Sequence, residues 1–120
     1  MAGSGLIRTR RHRAGHLEAY ARRDSGRHGE VLASFLQSDV QADLNTARGL
    51  LAAIAAAERG EPPQPPAIGN AFAIAVSPER VTISNAVIAQ SRPEHYDFDE
   101  MRRALGTWIA AIMRARRNPA

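Results

Sequence analysis

Residues 70–86 read NAFAIAVSPERVTISNA, and this stretch decides the fold. Phe72, Ile74 and Val76 alternate with Ala71, Ala73 and Ala75. Alternation with period two marks a half-buried strand. Ser77-Pro78-Glu79-Arg80 follows, a turn with Pro in its second position, where a fixed φ fits. Val81, Ile83 and Asn85 then alternate with Thr82, Ser84 and Ala86. The stretch is an antiparallel hairpin with large aliphatics on one face and small or polar groups on the other. Such a sheet buries one side against helices and leaves the other to water or a partner.

Downstream, Ala89–Tyr96 reads as a loop. Asp97-Phe98-Asp99-Glu100 has the form of a capping box, with Asp97 as the cap. Asp99 and Glu100 place negative charge at the positive end of the helix dipole. Met101, Leu105, Trp108, Ile109 and Ile112 share one face of the helix that follows, to about Met113. Arg114, Arg116 and Arg117 close it at its negative end. Gly106 lies mid-helix, which suggests close packing against a neighbour.

Upstream, residues 61–67 form a proline-rich connector, with four prolines in the five positions 62–66. Proline there forbids helix interior or central strand, so the segment is an extended spacer. Before it, Val40, Leu44, Ala47, Leu51, Ile54 and Ala55 mark a helix over Asp39–Arg59. Ser38 and Gln41 have capping-box spacing, and Gly60 stands where a left-handed C-terminal cap is wanted. Two further alternating runs, His16–Arg22 and Glu30–Leu36, flank the turn signal Asp24-Ser25-Gly26 and read as a first hairpin. Residues 1–15 are a flexible Arg-rich lead-in with a short strand at Ile7–Arg11. The expected fold is α+β in the order β-β-α-β-β-α. It is one domain over residues 16–117, a four-stranded antiparallel sheet with two helices packed on one face.

With 120 residues and 44 % hydrophobic positions, 23 of them Ala, the core is small. The absence of Cys excludes disulfide scaffolds and thiol chemistry. No apolar run reaches membrane-spanning length and no secretory signal is evident, so a cytoplasmic protein with no membrane partner is expected. All sixteen basic residues are Arg, for a net charge of +4. They are unevenly placed. Residues 1–30 carry seven Arg against three acids, residues 31–110 carry six against nine, and residues 111–120 add three more. An acidic body thus sits between basic ends, which suit phosphate contact by counterion release.

Chemistry is harder to find. His12 and His16 are four apart, but no carboxylate has a helpful spacing to them, so no metal site or other cofactor is expected. His95 beside Glu94 suggests a base with an orienting acid, the kernel of a small hydrolase, yet sequence neighbours rarely meet that way. No phosphate loop, nucleophile elbow or HExxH motif occurs. The reading is therefore of a non-enzymatic protein.

His28-Gly29-Glu30-Val31 through Phe35-Leu36, running to Asp39-Val40 and a helix, resembles the N-terminal half of the YacL family of small bacterial proteins. Gly69–Val76, the turn and Val81–Asn85 are similar to that family's second hairpin, and Tyr96–Asp99 through Leu105, Trp108 and Ile109 to its closing helix. The likeness covers about residues 16–113 and carries no catalytic residues. Small α+β proteins of this shape also resemble immunity proteins of contact-dependent growth inhibition. The resemblance implies a cytoplasmic inhibitor that occludes a cognate toxin, a nuclease such as a tRNase. Because such toxins have basic clefts, Glu94, Asp97, Asp99 and Glu100, with Asp39 and Asp43 second, are the expected partner-binding residues. The alternative is a nucleic-acid-associated protein that uses Arg8, Arg10, Arg11 and Arg13 together with the Arg114–Arg117 end.

Overall fold

The computed structural model describes residues 5–62, 64–88 and 91–118. Its elements are β1 (Ile7–Arg11), β2 (Leu17–Ala21), α1 (Gly26–Phe35), a π-helical turn (Leu36–Val40), α2 (Leu44–Glu58), β3 (Ala67–Ile68), β4 (Phe72–Val76), β5 (Val81–Asn85), β6 (Glu94–Tyr96) and α3 (Phe98–Arg117). The class is α+β, as expected. The arrangement differs: three helices accompany two antiparallel sheets, one of two strands (β1-β2) and one of four (β3-β4-β5-β6).

The 70–86 hairpin forms with Phe72 opposite Asn85, Ile74 opposite Ile83 and Val76 opposite Val81. Its large side chains turn inward, where Phe72, Ile74, Val81 and Ile83 are buried. Two short strands extend it. Ala67–Ile68 emerges from the proline connector to pair with β4, and Glu94–Tyr96, expected as loop, pairs with β5. Both are too short to show a period in the sequence. Pro63, Ala89 and Gln90 lie outside the described residues, so only parts of the connector and loop readings meet the structure.

The first hairpin is paired differently from its expectation. Leu17–Ala21 is a strand, but its partner is Ile7–Arg11 rather than residues 30–36. The lead-in therefore carries β1, and Ile7 is 4 % exposed. Residues 30–36 belong to α1 and its continuation, with Leu32, Leu36 and Val40 buried at every fourth position. A short apolar run fits period two and period 3.6 alike, and tertiary packing selects between them. Gly29 lets α1 approach β1. A Cβ there would collide with Ser25 Oγ and lie 2.9 Å from the Leu6 carbonyl oxygen.

The helix break also falls later than Ser38. Ser38 donates to the Ser34 carbonyl (2.8 Å), and the chain makes a π turn closed by Gln41 N–H to the Leu36 carbonyl (2.7 Å). Gln41 then takes φ +56, which reverses the chain before α2. Asp43, not Ser38, caps α2, accepting from the amides of Asn45 (2.9 Å) and Thr46 (3.3 Å). Those hydrogen bonds, Thr46 first, hold its carboxyl below the usual range. At the other end Gly60 takes φ +81, as expected. The amides of Gly60 and Glu61 reach Ala57 and Ala56, the Schellman closure.

The Asp97 capping box forms as read. Glu100 N–H donates to Asp97 Oδ1 (2.7 Å), and Asp97 N–H to Glu100 Oε1 (2.9 Å). Helix α3 buries Met101, Ala104, Leu105, Trp108, Ala111 and Ile112 along one stripe against β1, β2 and α2. Gly106 has no close neighbour: it is exposed, and a Cβ there meets nothing within 4 Å. Among the described residues, no helix is long and apolar enough to cross a membrane.

Candidate functional site

The β1-β2 ribbon sorts its residues by parity, because successive strand side chains point to opposite faces. Its inner face carries Ile7 opposite Ala21, Thr9 opposite Ala19 and Arg11 opposite Leu17. Its outer face carries Arg8 opposite Tyr20 and Arg10 opposite Glu18. One step beyond the strands, His12 N–H donates to the His16 carbonyl (2.8 Å), which continues that face to the turn. Arg10 Nε donates to Glu18 Oε1 at 2.8 Å, and its guanidinium lies 4.9 Å from the centre of the Tyr20 ring. The Arg10 hydrogen bond is the main reason the Glu18 carboxyl titrates below its ordinary range.

Arg11 points the other way, toward the end of α3. Its guanidinium donates to the carbonyls of Ala115 (2.9 Å) and Asn118 (2.5 Å), orphan acceptors at a helix C-terminus. This contact joins residues more than a hundred positions apart, and it makes the two basic ends of the sequence one surface. Arg10, Arg11 and Arg114 line one shallow recess. Arg11, His16 and Arg116 line a larger one of about 710 Å3, walled by Gln37 and Gln41 and floored by Leu17 and Ile112. No acidic side chain lines either recess. Arg8, Arg13, Arg114 and Arg117 are exposed and make no salt bridge among the described residues.

The carboxylates expected to meet a partner also have internal work. Asp39 accepts from the amides of Ala71 and Phe72, both at 3.1 Å, fastening the start of β4 to the π turn. Asp43 and Asp97 are helix caps. Asp99 pairs with Arg102 (2.6 Å), which also reaches Glu58 on α2 (2.7 Å). Glu94 pairs with Arg27 and lies 3.3 Å from His28 Nδ1, while Glu100 Oε2 is 3.1 Å from His28 Nε2. Asp97, Asp99 and Glu100 line one recess and Glu94 and Glu100 both reach His28, whereas Asp39 and Asp43 are not among the residues of that group.

His95 and Glu94 do not meet in a hydrolase-like pair. They are successive residues of β6 and face opposite sides. His95 Nδ1 contacts Thr82 Oγ1 (2.9 Å) on the outer face. Glu94 faces inward to His28, a residue that sequence spacing does not single out. The His28 ring stacks on Tyr96 at 4.2 Å, and the Tyr96 hydroxyl donates to the His28 carbonyl at 2.6 Å. With both ring nitrogens against carboxylates, His28 pins α1 to β6 and α3. Glu18 is a second residue that spacing overlooks, as a neighbour of the two histidines. Its signal lies in the sequence: His16 directly precedes β2 and Glu18 is two residues on, so the alternation puts both on one face.

No protein-family model matches the chain, and neither a curated protein nor a solved structure matches it.

Proposed function

We propose that this chain is a non-catalytic nucleic-acid-binding protein. It grips the phosphate backbone with the outer face of the ribbon and the end of α3. The observation that carries the reading is the Arg11 contact with Ala115 and Asn118, which gathers arginines from both ends of the sequence around recesses free of carboxylates. Clustered arginine on a two-stranded ribbon is an electrostatic footprint for polyanions. Tyr20, beside Arg10, adds a ring against which a splayed base can stack.

The test is fluorescence anisotropy with labelled duplex DNA and single-stranded RNA across about 50 to 200 mM salt. Binding should weaken steeply with salt. Replacing Arg8, Arg13, Arg114 and Arg117 by Gln should flatten the slope of log K against log salt by about 0.9 for each duplex phosphate no longer neutralised. Equal affinity in wild type and the fourfold variant would reject the proposal.

A second reading has its own support. The outer face of the four-stranded sheet is half-exposed. It presents Ala73, Ala75, Thr82 and Ser84, and Ile68, Val87 and Ile88 stand exposed at 76, 75 and 61 % near one end. A cytoplasmic immunity protein that occludes a toxin nuclease could use that face. Co-purification with the product of the neighbouring upstream gene tests it; absence of a complex, and no protection of cells making that product, would remove it.

A further inference from the structure

The tip of the ribbon brings together three side chains that can ligate a metal. His12 and His16 face one another across the turn, held by two main-chain bonds of 2.8 Å: His12 N–H to the His16 carbonyl and Gly15 N–H to the His12 carbonyl. Their rings stack with centroids 4.5 Å apart and planes 15° apart. Glu18, next on the same face of β2, places Oε2 3.7 Å from His16 Nε2. One ligand atom from each residue lies within 4.8 Å of the other two. Bonds of about 2.0–2.1 Å in a tetrahedral shell set donors about 3.3 Å apart. Small rotations of side chains at an exposed turn close that difference.

We propose that His12, His16 and Glu18 bind one borderline transition-metal dication of the zinc class. The geometry leaves its outward positions to water. The donor set selects the ion: two imidazoles and one carboxylate suit zinc, nickel or copper(II) and disfavour magnesium and calcium, which prefer oxygen. Glu18 is prepared for the role. Arg10 occupies Oε1, while Oε2 lies on the side of His16. One existing bond must yield. His12 Nδ1 accepts the Ala14 amide at 3.0 Å. An ion on Nδ1 displaces that amide directly, and an ion on Nε2 moves the ring proton to Nδ1, so the bond breaks either way. Neighbouring Arg10, Arg11 and Arg13 oppose a cation, which places the affinity below that of a four-ligand structural site. The site does not rest on nucleic-acid binding.

The experiment uses the full chain without an affinity tag, stripped with chelator and titrated with Zn2+ by isothermal calorimetry. One equivalent should bind saturably, and excess Mg2+ should not compete. His12→Ala and His16→Ala should each weaken binding at least about tenfold, and Glu18→Gln by less, with circular dichroism checking that each variant is folded. In wild type, Zn2+ should shift the Ala14 amide and the two imidazole resonances in NMR spectra. That readout needs no variant. Absence of saturable binding, unchanged affinity in the His12→Ala/His16→Ala double variant, or shifts centred on His28 instead would each overturn the proposal.

Discussion

The indole Nε1 of Trp108 donates to the main-chain carbonyl of Gln41 at 2.6 Å. Trp108 is the largest fully buried side chain, and Gln41 carries the one positive φ found outside glycine among the described residues. A rare backbone conformation at the end of the π turn thus turns a carbonyl inward to meet the only polar atom of the core tryptophan's side chain. The bond fixes α3 against the junction of α1 and α2. Replacing Trp108 by Phe removes the donor and leaves space in the core. Denaturant unfolding should show a loss of about 2–3 kcal/mol with the helix content kept.

Asp39 should prove a stability residue rather than a docking one. Its carboxylate satisfies two amides at the start of β4. Asp39→Ala should cost about 2 kcal/mol, because hydrogen bonds to a charged acceptor are the stronger kind and their donors lose a partner. Asp39→Asn, which keeps one acceptor oxygen, should cost less. Urea midpoints of the two variants, compared at one pH, check the order.

Two glycines should respond to Ala with opposite signs. Gly106 is exposed, helical and without a close neighbour, so Gly106→Ala should raise stability by about 1 kcal/mol. At Gly29 the added Cβ meets Ser25 Oγ and the Leu6 carbonyl, so Gly29→Ala should cost about 1–3 kcal/mol as α1 is pushed from β1. Thermal unfolding of the pair measures both.

Alkaline pH should act through Tyr96. Burial, and then the charges of Glu94 and Glu100, push its phenol well above its ordinary value near 10. The folded state therefore keeps a proton that the unfolded chain releases. The stability tied to that proton is whole below pH 10 and falls as pH climbs toward the folded value. Between pH 9 and 11, flanking that ordinary value, wild type should lose stability faster than Tyr96→Phe. At pH 7 the variant should be less stable by about 1 kcal/mol, because it cannot bond the His28 carbonyl. Parallel slopes for the two proteins would contradict this account.

The readings that hold are the local ones. The Phe72–Asn85 hairpin needs only alternation and a proline turn, the α3 start only Asp97 and Glu100, and the α2 end only Gly60. Residues 30–36 satisfy two periods at once, and Ser38 competes with Asp43 for the same capping role. Each of those choices is settled by contacts from far along the chain. The site is legible as composition, an Arg-rich start and an Arg-rich end, and as the pair His12 and His16. Its assembly is not, since Arg11 reaches Ala115 and His12 stacks on His16 only after the ribbon has closed and packed.

The sequence by itself determined the α+β class, the central hairpin with its buried face, the capping of α3 and the uneven placement of arginine. These depend on interactions within a few residues, where spacing and geometry are nearly the same thing. Only the tertiary structure decided that β1 takes β2 as partner, that residues 26–40 are helical, and that the two basic ends share one surface. Strand pairing and helix docking are set by which apolar faces fit together, and that fit carries no mark at a fixed distance along the chain.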